Sequence, residues 1–148
     1  YDVDKRQHQA HPFYGHEDGR YIDVLIHRDD TNEVNGEIRF LAGSQKQGAL
    51  IHIRETEEGS CSPHLPTDIY QLEDAVPVPA NRGDVVCFRI HTSHGSYLNR
   101  SNKARRLVRL GYRDPHNVQT AGQSLGRPGL LVAGYRQRRE GEDLLKMG

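Results

Sequence analysis

Short apolar segments separated by turn residues constrain the fold of this chain more than any other feature. Asn35-Gly36 and Arg82-Gly83 are typical turn sequences, and each stands just before an apolar segment. Five segments are rich in Val, Ile, Leu, Phe or Tyr and predict strands, at Tyr21–His27, Glu37–Leu41, Ala49–Ile53, Asp84–Ile90 and Arg105–Tyr112. Several short strands at this spacing predict an all-β antiparallel sandwich or barrel.

Two segments do not fit the strand pattern. Residues 55–74 predict a long polar loop with two prolines, interpreted as a lid or rim insertion. Residues 117–129 are rich in Gly, Gln and Ser and predict another loop, whereas Leu130–Tyr135 predicts a closing strand. We expect residues 1–148 to form one domain. The chain opens on Tyr1 rather than Met, so we expect an N-terminal part of a larger domain to be missing.

Charge and cysteine content narrow the class of protein. The chain carries 20 Lys and Arg against 20 Asp and Glu, which argues against binding to nucleic acid or to an acidic membrane. No long apolar stretch is present in the sequence, and Cys61 and Cys87 match no CxxC spacing. Cys87 lies in an apolar run and is predicted to be buried. These features predict a cytoplasmic protein with reduced thiols.

Three residues have sequence positions that suit a role in metal or ligand binding. His94 follows an apolar strand between Ser93 and Gly95, which leaves room for a metal, although a solvent-facing role is the alternative. Arg105 opens another apolar strand, where a buried arginine needs an anionic partner; the alternative is that this charge points to solvent. His27 alternates with residues of one strand face, and lines a pocket if that face is inward; an ordinary barrel histidine is an equal alternative.

Several motifs in order resemble one protein family. Gly83-Asp84-Val85-Val86, His94-Gly95-Ser96 and Arg105-Arg106 are similar to the C-terminal signature of the phytanoyl-CoA dioxygenase family. Upstream, Asn35-Gly36 and Ala42-Gly43-Ser44-Gln45-Lys46 resemble that family's Asn-Gly and P-G-S-H-K elements. The spacing from Asn35 back to the triplet His8-Gln9-Ala10 also resembles the family pattern. The resemblance covers roughly residues 7–136.

The resemblance implies a double-stranded β-helix, the cupin-like jelly roll, with an iron site at its mouth. By this resemblance His8 and His94 bind Fe(II), Arg105 pairs with the far carboxylate of 2-oxoglutarate, Ser96 assists, and His27 lies near the cosubstrate. The implied activity is that of a dioxygenase, which uses dioxygen to hydroxylate an aliphatic C–H of a small organic substrate. Two histidines and a carboxylate leave facing positions open for such chemistry.

Ala10 departs from the family pattern, because it stands where the metal-binding carboxylate is expected. In one interpretation two histidines suffice and chloride or water fills the vacant position, as in 2-oxoglutarate-dependent halogenases. In a second, Asp18 of the triplet His16-Glu17-Asp18 replaces the carboxylate, although its spacing to Asn35 is too short. In a third, the chain is an altered copy or a non-catalytic jelly-roll binding module. An oxygenase remains the first hypothesis.

Overall fold

The computed structural model describes residues 6–57, 59–123, 125–127 and 129–135. Short strands and two single turns of 3-10 helix, at Ser44–Gln47 and Leu72–Asp74, make up the regular structure of these ranges. The strands are β1 (Tyr21–His27), β2 (Ile38–Phe40), β3 (Ile53–Thr56), β4 (Gly59–His64), β5 (Val76–Val78), β6 (Val85–Arg89), β7 (His94–Ser96) and β8 (Leu107–Arg113). No helix in these ranges is long and apolar enough to cross a membrane.

The strands form two antiparallel sheets and a hairpin. One sheet has the order β6-β1-β8, the other has the order β5-β2-β7, and β3 pairs with β4. Neighbours in both larger sheets are distant in sequence, which is the long-range pairing of a jelly roll. Phe40 of β2 contacts Phe88 of β6, with ring centroids 5.0 Å apart, so the apolar faces of the two sheets meet there. The all-β class is therefore confirmed.

The inward face of β1 carries two polar side chains. Asp23, Leu25 and His27 are buried at 0%, 3% and 2% exposure, whereas Ile22 is 41% exposed. This period of two places the three buried residues on one face of the strand. Leu25 pairs with Arg109 of β8, and His27 pairs with Leu107. A carboxylate and an imidazole that point into a barrel require polar partners or a ligand.

Four of the five predicted strands are confirmed to within two residues at each end. The strand predicted at Ala49–Ile53 is wrong, because β3 begins only at Ile53. The buried side chain of Gln9 accounts for the difference. Its Oε1 accepts a hydrogen bond from the backbone N–H of Leu50 at 2.9 Å, and its own backbone N–H donates to Nε2 of His52 at 2.9 Å. One bond uses the side chain of Gln9 and the other uses the side chain of His52, so side-chain groups replace the backbone pairing of a strand.

Other predictions about individual segments need correction. Residues 55–74 contain the hairpin strand β4 and a turn of 3-10 helix, with Leu65 and Leu72 fully buried, so this segment is not an unstructured loop. Its role as a lid stays a prediction. The closing strand at Leu130–Tyr135 is wrong, since none of these residues is in a strand. Cys87 is exposed rather than buried, because β6 alternates and turns Phe88 inward instead.

Candidate functional site

His8 and His94 are brought together by a short antiparallel bridge. The N–H of His8 donates to the carbonyl of His94 at 2.8 Å, and the N–H of His94 donates back to the carbonyl of His8 at 2.9 Å. Residues paired in this way project their side chains to the same face. The two imidazole rings accordingly lie 4.3 Å apart between centroids. Two residues far apart in sequence thus form one potential metal-binding pair.

The protonation of the two rings suits metal binding. Nδ1 of His94 lies 2.9 Å from the carbonyl oxygen of Thr92. A carbonyl can only accept, so Nδ1 carries the hydrogen and Nε2 keeps a lone pair. Burial lowers the pKa of His94 to about 4, and burial together with the charge of His94 lowers the pKa of His8 to about 3. Both rings are neutral at pH 7, the form that binds metals.

Aromatic rings surround the histidine pair. Phe88 lies 4.7 Å from the His94 ring and Phe40 lies 5.9 Å from it, both between centroids. Phe13 contacts the His8 ring edge-on at 5.3 Å. This apolar wall excludes water from one side of the pair and holds both rings in place.

Arg105 and Arg106 are adjacent in sequence, but their side chains point in different directions and make different contacts. Arg106 forms a paired contact with Asp29, with Nε and Nη2 at 2.9 and 2.8 Å from its carboxylate oxygens. Arg105 instead directs Nη2 to Oγ of Ser96 at 3.4 Å, and it forms no ion pair with any residue in the described ranges. Partial burial lowers the pKa of Arg105. One arginine is thus neutralised at the surface, and its neighbour presents an uncompensated cation toward β7.

His27 lies on the inward face of β1 and pairs with Leu107, two residues from Arg105. It is 2% exposed, and neither ring nitrogen has a hydrogen-bond partner among the residues that the structure describes. Burial lowers the pKa of His27; the charge of Asp84 opposes this effect and that of Arg105 adds to it. A buried imidazole without partners is costly. A polar ligand in the pocket would remove that cost.

The position of Ala10 offers no metal ligand. Ala10 is 2% exposed, packs with Tyr14 and Ile90, and donates its N–H to the carbonyl of Ile90 at 3.1 Å. Across the described ranges, no three His, Cys, Asp or Glu side chains converge so that they could hold a metal ion. Asp18 does not replace the carboxylate, since it binds Arg20 at 2.7 Å on the surface.

A buried polar group beside Ala10 was missed by sequence reasoning. Asp23 accepts a hydrogen bond from the hydroxyl of Tyr14 at 2.8 Å and faces Nε of Arg109 at 3.4 Å. The guanidinium of Arg109 also lies 4.7 Å from the centre of the Tyr14 ring. Burial raises the pKa of Asp23, while the Tyr14 hydroxyl and Arg109 oppose that effect. The available signal was an aspartate in the middle of an apolar strand.

The sequence of this chain is similar to a known protein family and to a known relative. The family model described as Phytanoyl-CoA dioxygenase (PhyH) matches residues 3–107. A probable alpha-ketoglutarate-dependent hypophosphite dioxygenase from Stutzerimonas stutzeri is 30% identical over 115 residues, which are 71% of this chain and 38% of that protein.

Solved structures share the fold at lower sequence identity. A non-heme monooxygenase, ThoJ in its apo form, is 24% identical with a TM-score of 0.61, over 81% of this chain and 45% of that chain. The epimerase SnoN, in complex with Fe3+, alpha ketoglutarate and nogalamycin RO, is 18% identical with a TM-score of 0.60, over 94% and 55%. The chain therefore spans about half the length of these proteins or less. The likeness confirms the jelly-roll fold.

Proposed function

Since this chain belongs to the phytanoyl-CoA dioxygenase (PhyH) family, we propose that it carries the iron and 2-oxoglutarate sites of an oxygenase that hydroxylates an aliphatic C–H of a small organic substrate. One observation carries the proposal. Strand β7 places His94 against His8 at 4.3 Å and, two residues on, places Ser96 within 3.4 Å of an arginine that has no carboxylate partner in the described ranges. One member of the metal pair and one member of the anion site thus share the short strand β7.

The residues present fit an Fe(II) ion. His8 and His94 would hold it through neutral imidazoles, and imidazole suits iron. The hydrogen bond from His94 to the Thr92 carbonyl fixes the ring in the tautomer that binds metal. When bound, the iron supplies the activation of dioxygen that no side chain can provide. The protein supplies orientation and, through Phe40, Phe88 and Phe13, an apolar wall.

The residues present also fit 2-oxoglutarate. Its far carboxylate would accept charge-assisted hydrogen bonds from the guanidinium of Arg105 and a hydrogen bond from Ser96. His27 would donate a further hydrogen bond from its unpartnered ring, which would satisfy a nitrogen that is otherwise buried alone. The Stutzerimonas relative is described as alpha-ketoglutarate-dependent, and the SnoN structure contains alpha ketoglutarate and iron. Both support this assignment of cosubstrate.

Ala10 favours a second candidate function. A methyl group cannot bind iron, and the described residues offer no carboxylate as a third ligand beside the histidine pair. A small anion such as chloride could then occupy the vacant position, and the enzyme would halogenate rather than hydroxylate. The third candidate is a jelly-roll module that binds a small molecule without turnover. Arg105, Ser96 and His27 suit a cosubstrate in either enzyme and do not distinguish the two. The hydroxylase is preferred because nothing besides Ala10 points to chloride.

An anaerobic titration separates an enzyme from a binding module. Addition of Fe(II) and 2-oxoglutarate should give the weak visible charge-transfer band of a metal-bound 2-oxo acid. His94→Ala should abolish this band, whereas His116→Ala, a change at an exposed histidine, should not. Absence of a band in the wild type would mean a binding module. With the band present, cosubstrate turnover with and without chloride separates the two enzymes, because a halogenase requires the anion.

A further inference from the structure

Arg109 is a second cation on the inward face of β8, beyond the one assigned to the cosubstrate. It pairs directly with Leu25, which is 3% exposed, so its side chain starts on the interior side of the sheet. The side chain is 48% exposed, so about half of it is accessible to a ligand. The guanidinium lies over the ring of Tyr14, which packs with Ala10, and the neighbouring Phe13 contacts the His8 ring at 5.3 Å. Arg109 therefore packs against the segment that carries His8.

Two contacts hold Arg109 in one orientation. Nε faces the fully buried carboxylate of Asp23 at 3.4 Å, and the guanidinium plane lies over the ring of Tyr14 at 4.7 Å. The hydroxyl of Tyr14 in turn donates to Asp23 at 2.8 Å, which fixes the carboxylate. Within the described ranges, the two Nη groups of Arg109 make no hydrogen bond. Among these residues Nε is thus in an ion pair without a hydrogen bond, and both Nη groups are open. A guanidinium in this arrangement can bind an oxyanion with two parallel hydrogen bonds.

Arg109 and Arg105 occupy separate positions. Arg105 lies two residues before β8 and Arg109 is the third residue of β8; four residues of extended backbone span about 13 Å. The terminal carbons of the five-carbon cosubstrate are only about 5–6 Å apart when its chain is extended. The two arginines also have different anchors, Ser96 for Arg105 and Asp23 with Tyr14 for Arg109. An anion at Arg109 is therefore a different group from the far carboxylate of 2-oxoglutarate.

We propose that Arg109 binds an anionic group of the substrate, a carboxylate or a phosphorus or sulfur oxyanion, and thereby holds the substrate beside the metal. This inference rests on the proposed function, because the histidine pair defines where the substrate reacts. Asp23 and Tyr14 act as positioning residues that orient Arg109. Such an anchor fixes a bound molecule with respect to the reacting centre at little cost in conformational freedom.

The test uses two small probes, methylphosphonate and propionate, with the protein under anaerobic Fe(II) and saturating 2-oxoglutarate. Paramagnetic broadening of the probe's methyl protons reports binding close to iron and needs no turnover. We expect saturable broadening with the wild type for at least one probe. Arg109→Gln should weaken that binding about tenfold or more. Arg113→Gln should not, since Arg113 lies on the same strand and donates instead to the Asn117 carbonyl at 3.2 Å.

Further variants separate binding from folding. Arg109→Gln leaves Asp23 buried without its ion pair and is expected to destabilise the fold. The double variant Asp23→Asn with Arg109→Gln therefore keeps the buried group neutral. The double variant should retain the charge-transfer band and still lose the probe. Response to methylphosphonate alone indicates a phosphorus or sulfur oxyanion, and response to propionate indicates a carboxylate. Equal binding by wild type and double variant, or no saturable binding by the wild type, overturns the inference. Absence of the band itself overturns the proposed function.

Discussion

His94 and His8 reach the same site from segments that are stabilised in different ways. His94 belongs to β7, where pairing with Phe40 of β2 continues into Gly95 and Ser96. His8 lies outside any strand and makes one isolated bridge. The residues on both sides of His8 are fully buried glutamines: Gln7 donates to the Gln71 carbonyl at 2.7 Å, and Gln9 donates to the carbonyls of His91 and Gly48 at 2.7 and 2.8 Å. A backbone ladder positions one ligand, and buried amide side chains position the other.

This difference in how His8 and His94 are stabilised separates mutations that should damage only function from mutations that should also damage the fold. Around β7, which we call the ladder side, Ser96 and its contact Arg105 can lose their side chains while the backbone pairing of β7 persists. On the side of His8, a single side chain such as Gln9 joins three segments of the chain, so its loss should move the backbone itself.

The largest expected effect concerns the ladder side, at Arg105. Arg105→Ala should weaken 2-oxoglutarate binding by about 2–5 kcal/mol, because it leaves a buried carboxylate without its cationic partner. The matched control is Arg106→Ala, which removes the exposed pair with Asp29 and should leave the cosubstrate affinity unchanged. Titration of the anaerobic charge-transfer band measures both. Equal losses in the two variants would contradict the assignment of Arg105.

The second prediction tests the segment around His8. Gln9→Ala removes a fully buried side chain whose amide makes three hydrogen bonds to half-buried partners, and it should lower the free energy of unfolding by about 3 kcal/mol. Gln47→Ala, at an exposed position, should change it by less than about 0.5 kcal/mol. Denaturant unfolding measures both values, and Fe(II) affinity should fall with Gln9→Ala alone. Equal stability of the two variants would show that buried amides do not position His8.

The same contrast explains what could be predicted from the sequence. The period of two in Tyr21–His27 is a local pattern, so the strand β1 could be predicted from it. The motif His94-Gly95-Ser96 is also local and could be recognised, but its role in a site stays a prediction. The hydrogen bonds of Gln9 to residues 41 and 82 positions away are not local, and an isolated glutamine carries no signal of them. The strand predicted at Ala49–Ile53 failed for that reason. Asp23 belongs to the same alternating strand, but its partners Tyr14 and Arg109 depend on tertiary packing and leave no local signal.

A third prediction compares the two histidines by titration. Both have pKa values in the folded protein below the usual 6.5, about 3 for His8 and about 4 for His94. Below pH 6.5 the unfolded chain therefore binds more protons, and the free energy of unfolding should fall as pH decreases from 6.5 toward 4. Each histidine contributes at most about 1.4 kcal/mol per pH unit. Unfolding of the metal-free protein at pH 7, 6 and 5 measures this slope.

The control for the titration is the double variant His8→Gln with His94→Gln, which cannot take up these protons. Its slope between pH 6.5 and 5 should be clearly smaller than that of the wild type. His11, His16, His52 and His91 also have lowered pKa values, so some slope should remain. An unchanged slope would mean that the buried pair is not the main acid-sensitive element.

The smallest expected effect belongs to Ala10, where the His8 segment departs from the family. Ala10→Asp adds a carboxylate two residues from His8 and should tighten Fe(II) binding by about tenfold or more, or about 1.4 kcal/mol. Without metal the same carboxylate is buried beside Tyr14 and Ile90, so the metal-free variant should be less stable than the wild type. Ala10→Asn, of equal size but uncharged, should share part of the destabilisation and bind iron less tightly than the aspartate variant.

The effect of Ala10→Asp on turnover separates the two enzymes. In a hydroxylase Ala10→Asp should raise 2-oxoglutarate turnover, and in a halogenase it should abolish the requirement for chloride. If Ala10→Asp alters neither iron affinity nor turnover, residue 10 does not lie at the metal, and the role of His8 as a ligand fails with it.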